Sequence, residues 1–459
     1  MAPLLRIVAF VGLILALEVT TSSATGPSCG ANITNSTVLT KDLVCNCSQG
    51  FPYLLHVKGP ATLNLKEFTV KCSNASTSGN TTCIEFSGKG VTIKNGYVTN
   101  CLYGIRDGVM DLAEGALLQN MVAEATSSGG AGFFLSGENH TLLDVHAENN
   151  TEGLRLLGSN NKVKESSFLD SDFGIRILGA NNTIASNSIE HAKSDCVYLH
   201  GAGNVFKDNH VVRCGGRGVA VDGRNSIIDD NSISVTGGAS IEAIVANIFA
   251  NHSGIQITSN SLSKSKTNCI VINSGFSKTH LEDNLIADCT ENGVLLNAMS
   301  SRSTVLDNGI RNCGSTGVTI FETSNNTVSK NKITNCTVGI KADNGARKNT
   351  MESNLIIGSG LIGIFLSTSS SESKVKDNGI RNCGVGVSVL NSSNNTVTSN
   401  GITKCKVGIK ADIGATNNRF TFNRVSDSFT IALQDLTAKC GSNVWKGNSG
   451  RGNRGCTKN

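Results

Sequence analysis

Arg155, Arg176, Tyr198, His200 and Asp222 stand in the chain at separations of 21 or 22 residues from one another's equivalents, with Arg106 and Phe134 earlier in the same series. These residue types offer a definite chemistry. Guanidinium groups clamp carboxylates bidentately, and an exposed ring can stack on the face of a sugar. Tyr198 or His200 can remove a proton alpha to a uronate carboxylate while Arg176 stabilises the charge that develops. Arg155, Asp222, Arg106 and Phe134 would then hold the sugar. That reading has force only if residues one period apart lie side by side, which depends on the elements that carry them.

Those elements are set by a repeat. DNGIRNCG occurs at Asp307–Gly314 and again at Asp377–Gly384, and VGIKAD at Val338–Asp343 and again at Val407–Asp412. Each 70-residue block divides into three units, marked by Asn308, Asn331, Asn354, Asn378, Asn400 and Asn423 at spacings of 22 to 24 residues. Upstream the register runs through Asn95, Asn120, Val145, Ser166, Asn187, Asn209, Asn231, Asn260 and Asn284, and downstream to Asn448, so that fourteen of sixteen positions are Asn. A fixed period of this length dictates architecture before local propensity does.

Within each unit a Gly, an apolar residue, any residue and a second apolar residue recur, as in Gly174-Ile175-Arg176-Ile177 and Gly363-Ile364-Phe365-Leu366. These are short strands of period two. A unit of about 22 residues is too short for a strand plus a full crossover helix. It fits one turn of a parallel β-helix, in which each rung buries its apolar side chains only against its neighbours. Asn tolerates left-handed backbone and bonds turns, so stacked asparagines would form an amide ladder along one corner. Sixteen rungs at about 4.8 Å predict a rod of roughly 77 Å. The third residue of each strand points outward, giving the column Arg106, Phe134, Arg155, Arg176, Tyr198 and Ala220 and then Leu295, Thr319, Lys341, Phe365, Ser388 and Lys410, with His200 and Asp222 two residues further along their strands.

The ends differ from the middle. Residues 1–24 read as a secretory signal: Arg6, the apolar run Ile7–Leu17 and the small residues Ser22-Ser23-Ala24. The run of 11 residues is short of the roughly 20 a membrane span needs. Residues 25–90 hold Pro27, Pro52 and Pro60 and read as a Cys-rich cap with the first rungs; 91–433 are the repeats; 434–459 form a second cap around Trp445. A net charge of +5 is too mild to point to nucleic acid and permits attraction to acidic polymers.

Cys29, Cys45, Cys47, Cys72, Cys83 and Cys101 crowd the first cap, and Cys440 and Cys456 close the second. They read as disulfide staples on the ends, where a β-helix must cover its open core, with the connectivity left open. Cys214, Cys289, Cys313, Cys336, Cys383 and Cys405 each follow the register position by five residues. They are either a buried column of thiols or inter-rung disulfides; for the consecutive triple Cys289, Cys313 and Cys336 the odd count favours thiols. No metal-ligand spacing appears. Glycosylation sequons stand at Asn32, Asn35, Asn74, Asn80, Asn139, Asn181, Asn251, Asn325, Asn391 and Asn394.

The opening CGANITNSTVLTKDLVC, then LNLKEFTVKC, GVTIKNGYVTNCLYGIRD and the NNT-xxxNxI rungs resemble the exported right-handed parallel β-helix repeat proteins of the pectin-lyase-like superfamily, in its NosD-type branch. The resemblance implies an all-β fold: a single-stranded right-handed parallel β-helix of about 16 rungs with disulfide-stapled caps. It implies no one activity, because that helix serves lyases, hydrolases, epimerases and binding proteins alike. The NTD, GHG and RIK segments of polygalacturonase-type hydrolases are missing, with only Asp229-Asp230 matching their DD. The RxPxxR of pectate lyases is absent since no Pro follows Pro60, and Asp144-Val145-His146 only loosely echoes the epimerase DPH. Copper handling finds no soft-ligand cluster among five Met and scattered His.

The expectation is therefore a secreted, extracellular or cell-wall glycoprotein that binds an acidic polysaccharide and modifies it in lyase or epimerase fashion, with a non-catalytic structural or adhesive rod as the alternative. No cofactor is evident; calcium suits an acidic-sugar enzyme, although no carboxylate cluster stands out. The partner is a polysaccharide, without nucleic acid or a membrane span.

Overall fold

The computed structural model describes residues 26–73, 81–108, 113–124, 129–243, 252–428, 430–437 and 442–455. The expected signal segment, Cys440, Cys456 and the sequons at Asn74, Asn80 and Asn251 lie outside the described residues. The chain coils into an all-β parallel solenoid of about 17 turns, with strands paired only in parallel. One short 3-10 turn, Cys47–Gln49, is the sole helical element among the described residues, and none of their helices is long and apolar enough to cross a membrane.

From Lys162 onward the rungs contribute one strand to each of three faces. In one rung Thr183–Ala185 belongs to sheet 2, Ser188–Glu190 to sheet 3 and Val197–His200 to sheet 1. Alternation sends one side of every strand inward, where like positions stack. The sheet 2 file runs Ile184, Phe206, Ile228, Ile257, Leu281, Val305 and onward to Phe420 and Trp445. All but Trp445 of these are wholly buried, so the core is a column whose apolar area grows rung by rung. Many sheet 1 strands carry Gly at their entry, where the neighbouring rung comes too close for a side chain. A Cβ on Gly339 would lie 2.4 Å from the Gly363 oxygen and 2.6 Å from the Ile356 methyl.

The amide ladder is present between sheets 2 and 3. The side-chain oxygen of each register Asn accepts the backbone N–H of the register residue before it, from Ser166 to Asn187 and on without a break to Asn448. These asparagines are buried. Two expectations are corrected. The left-handed residue is the one before the ladder Asn, as at Ser186, Asp307, Lys330 and Phe422, not the Asn itself. Asn95 and Asn120 are accordingly out of step: they align with Asp144, while Gly96 and Met121 occupy the rung position of Val145. With Asn64 they form a short ladder of their own, Asn120 donating to Asn95 and Asn95 to Asn64 at 3.1–3.2 Å.

A second buried ladder was not anticipated. It lines the corner between sheets 1 and 2 through Asn161, Asn182 and Asn204, and again through Asn326, Asn349, Asn395 and Asn418. The second Asn of each Asn-Asn-Thr turn supplies it. The first Asn, at Asn181, Asn325 and Asn394, takes the left-handed conformation and is exposed, as Asn139 is in the turn before its His140.

Six disulfides among the described residues fit a chain that matures in an oxidising compartment. Cys29–Cys45, Cys47–Cys72 and Cys83–Cys101 staple the N-terminal end as expected of these six residues. In the middle, Cys289 leaves the expected thiol triple because Cys269 bonds it, and Cys214 bonds Cys196. Cys383 and Cys405 bond across two rungs, while Cys313 and Cys336 remain buried thiols.

The ladder yields a stability prediction. Asn331 bonds Val305 O, Ser329 O and Asn354 Oδ1 at 2.8–3.0 Å and accepts the Asn308 N–H. Asn331→Ala leaves several buried groups unpaired and should lower urea-unfolding stability by about 2–4 kcal/mol, whereas Asn325→Gly, at an exposed position whose left-handed conformation glycine also adopts, should change it by less than about 1 kcal/mol.

Candidate functional site

Sheet 1 carries the outward column that the period implied. Backbone pairing aligns Glu85, Arg106, Phe134, Arg155, Arg176, Tyr198, Ala220 and Glu242 in one file, with His200 beside Asp222. The file continues through Leu295, Thr319, Lys341, Phe365, Ser388 and Lys410. There Lys341 pairs with Asp343 at 2.6 Å and Lys410 with Asp412 at 2.5 Å, as surface ion pairs.

The arginines are not free clamps. Glu152, with a side chain only 4% exposed, binds the Arg155 guanidinium through both oxygens and lies 3.3 Å from Arg176. Arg106 is held by Glu85 through a single contact, Nη2 to Oε2. One rung beyond Tyr198, Arg217 makes a fork to Asp195 at 2.6 Å and reaches Glu242 at 3.7 Å. Four arginines on this face thus meet five carboxylates once Asp222 is included. The guanidinium ends already have partners, and the face as a whole carries no positive excess that would draw in a polyanion.

Glu152, Phe173, Asp195 and Arg217 escaped the sequence reading because they break strict alternation. The Gly that opens each sheet 1 strand sits over the core, where a Cβ on Gly153 would lie 3.1 Å from the Phe168 ring. Gly153 and Leu154 therefore both face inward, and the residue before the Gly returns to the outer surface, three residues from Arg155. The signal was available: these residues precede each Gly or its equivalent by one.

Aromatic rings fill the gaps between the ion pairs. Arg106 stands over Tyr103 at 5.2 Å, Arg155 over Phe134 at 5.7 Å, and Arg176 over Phe173 and Tyr198 at 6.0 and 5.8 Å. Tyr103 and Phe134 lie 5.1 Å apart. Cations over ring faces gain attraction from the ring quadrupole, so rings and guanidinium planes hold one another in place. The result is a belt of planar groups, apolar and charged in turn, along several rungs.

At its end the His200 imidazole is 45% exposed, and its Nδ1 lies 2.9 Å from Oδ2 of Asp222, whose side chain is 1% exposed. A buried carboxylate at Nδ1 fixes the ring and turns Nε2 outward, the arrangement that lets an imidazole accept or give a proton. Tyr198 stacks parallel to His200 with centroids 6.3 Å apart. Burial, followed by the Asp222 charge, pushes the Tyr198 hydroxyl above its ordinary value. Tyr198 is thus kept protonated at neutral pH, and His200 is the better proton carrier of the two. His146 lies inside the strand Thr141–Glu148, bonded to Ser167. Among the described residues, no group of three or more His, Cys, Asp and Glu is gathered as a metal site.

The strand spacing here is regular: Arg155, Arg176, Tyr198 and Ala220 pair rung to rung without an inserted loop. The long insertion of the repeat follows this region, and its residues 244–251 lie outside the described residues. Among the described residues, surface concavities of about 390–660 Å³ occur elsewhere, one of about 660 Å³ lined by Leu39, Lys66, Glu67, Phe68, Asn95 and Asn120.

A family model described as "Right handed beta helix region" matches residues 120–247, 243–380, 276–425 and 339–456. No curated protein matches the chain. Among solved structures the chain is similar to the Azotobacter vinelandii mannuronan C-5 epimerase AlgE4 A-module, at 15% identity over 69% of this chain and 90% of that one, with a TM-score of 0.46. It is also similar to the periplasmic alginate epimerase AlgG, at 11% identity over 87% and 84% with a TM-score of 0.32. A GH87 alpha-1,3-glucanase catalytic domain matches at 12% identity over 91% and 69%, with a TM-score of 0.34.

Asp222→Asn should lower the ionisation midpoint of Tyr198, because it removes the carboxylate charge that, after burial, holds the hydroxyl up. The check is a phenolate absorbance titration of four tyrosines, with Tyr198→Phe identifying the signal. An unchanged midpoint would separate Tyr198 from the Asp222 charge.

Proposed function

The chain belongs to the right-handed β-helix family, and on that premise we propose that it is an exported rod, of the NosD-type branch, that binds extracellular or cell-wall polysaccharide along sheet 1. The single observation that carries this reading is the belt from Arg106 to His200, in which rings and planar ion pairs alternate along the rungs. Rings offer apolar faces to pyranose carbons, and paired carboxylates and guanidinium groups offer many fixed acceptors and donors to hydroxyls. Internal neutralisation of the arginines turns the preference from uronate carboxylates toward hydroxyl-rich, weakly charged chains. In this reading Arg155, Arg176, Phe134 and Tyr198 contact sugar, and Arg106 and Asp222 hold their neighbours. Residues 1–24 act as the export signal, 25–90 and 434–459 as caps on the repeats of 91–433, and the exposed sequons carry glycans.

A second reading, lyase- or epimerase-type modification, is favoured by the exposed His200 held by buried Asp222. His200 Nε2 would take the proton alpha to a uronate carboxylate, with Arg176 beside it. The unbroken rungs around Arg176 favour binding without turnover.

Purified chain titrated calorimetrically against neutral glucans and galactans, alginate and pectin should bind a neutral polymer more tightly than either uronate polymer. Arg176→Ala and His200→Ala should each weaken binding about tenfold, or about 1.4 kcal/mol. Ultraviolet absorbance and proton NMR of the uronate polymers should stay unchanged; new double bonds or epimerised residues would establish the second reading. Parent-like binding by both variants would remove the site, and no binding to any polymer would leave a structural rod.

A further inference from the structure

The cysteines beyond sheet 3 follow a rule that two of them do not yet satisfy. Cys289, Cys313, Cys336, Ser359, Cys383 and Cys405 form one file, each two residues past paired strand positions on successive rungs. The residues that open the sheet 1 strands of the preceding rung stand opposite this file. Where the opening residue is a cysteine, it bonds the cysteine of the next rung: Cys269, just before Ile270, takes Cys289, and Cys196, just before Val197, takes Cys214.

Where the facing residue is glycine, no such partner exists. By register Gly363 and Gly386 hold that place for Cys383 and Cys405, and those two sulfurs bond to each other across adjacent rungs, with Cα atoms 4.5 Å apart. Gly293 and Gly317 stand in the same place for Cys313 and Cys336; a Cβ on Gly293 would lie 3.1 Å from the Cys313 sulfur. The internal repeat reproduces the whole setting, since DNGIRNCG contains both Cys313 and Cys383. Cys289, the other neighbour in the file, is already bonded to Cys269. In the folded rungs the Cys313 and Cys336 thiols lie against the Arg311 and Thr334 carbonyls, and their interaction with each other pushes Cys313 up and Cys336 down.

We propose that Cys313 and Cys336 close as an inter-rung disulfide in the mature protein, a modification site equivalent to Cys383–Cys405. In the reaction the Cys336 thiolate attacks one sulfur of a small disulfide such as glutathione disulfide, releasing one glutathione thiol. The Cys313 sulfur, giving up its proton, then displaces the second glutathione. Two S–H bonds break, one S–S bond forms, and glutathione disulfide takes up the two electrons and two protons. Because both sulfurs are buried, the bond forms while the rungs are still assembling.

The full chain is refolded in a glutathione redox buffer, denatured without reductant, treated with N-ethylmaleimide and mapped by peptide mass spectrometry. The expected result is a Cys313–Cys336 cross-linked peptide with no maleimide on either residue. Maleimide on both while Cys383–Cys405 is intact, or a Cys289–Cys313 link, overturns the proposal. In Cys336→Ser, Cys313 should gain one maleimide where the parent shows none; an unmodified Cys313 in that variant would mean that it bonds elsewhere and would likewise overturn it. Should the variant fail to fold, the parent map alone decides.

Discussion

The hydrogen bond from each rung's backbone to the next rung's buried asparagine is the constraint on which the molecule depends. In a parallel solenoid the chain turns three times per rung, and each turn takes backbone groups away from strand pairing. Between sheets 2 and 3 one amide satisfies an N–H of the preceding rung, a carbonyl of its own rung and the next amide in line, as Asn331 does. Leaving such groups unpaired in the core would cost on the order of 1–3 kcal/mol each, repeated at every rung. The amide also fixes register. A strand displaced by one residue would lose its asparagine from the file as well as reversing which side chains face inward.

Everything outside the core inherits that register. Because rungs stack without slippage, a side chain that recurs once per period becomes a file on the surface, and its neighbours are residues some 22 positions away. Arg155, Arg176 and Tyr198 meet in this manner, and so do the sulfurs of Cys383 and Cys405. The same geometry brings Glu152 under two arginines from different rungs. A carboxylate nearly closed off from water is tolerated there because it is paired and hydrogen bonded on both oxygens. That pairing changes the character of the face from an open cationic clamp to a neutral, ordered surface.

The N-terminal rungs show what happens where the ladder is absent. From Gly96 to Val145 the position carries no amide, the strands Thr92–Thr99, Leu117–Glu124 and Thr141–Glu148 run straight through what is elsewhere a corner, and sheets 2 and 3 merge. Disulfides concentrate toward this end, where fewer neighbouring rungs are present to bury the core. Cross-links and amides thus share the work of keeping the coil in step.

The periodic part of this was legible in the residues. Spacing of Asn308 through Asn423 and the Gly-apolar-x-apolar strands were sufficient to determine a stacked parallel coil, the inward files and the outward column, since a solenoid maps sequence period directly onto space. What period could not determine was anything set by a local departure from it. The two-residue inward step at Gly153 placed Glu152 on the surface, the left-handed residue before each amide put Asn95 and Asn120 one position out of register, and Cys269 drew Cys289 away from its file. Each depends on which atoms approach across the core or between corners. That distance is a property of the folded rungs and of no single stretch of chain, so the tertiary structure alone decided the charge of the face and the partners of the sulfurs.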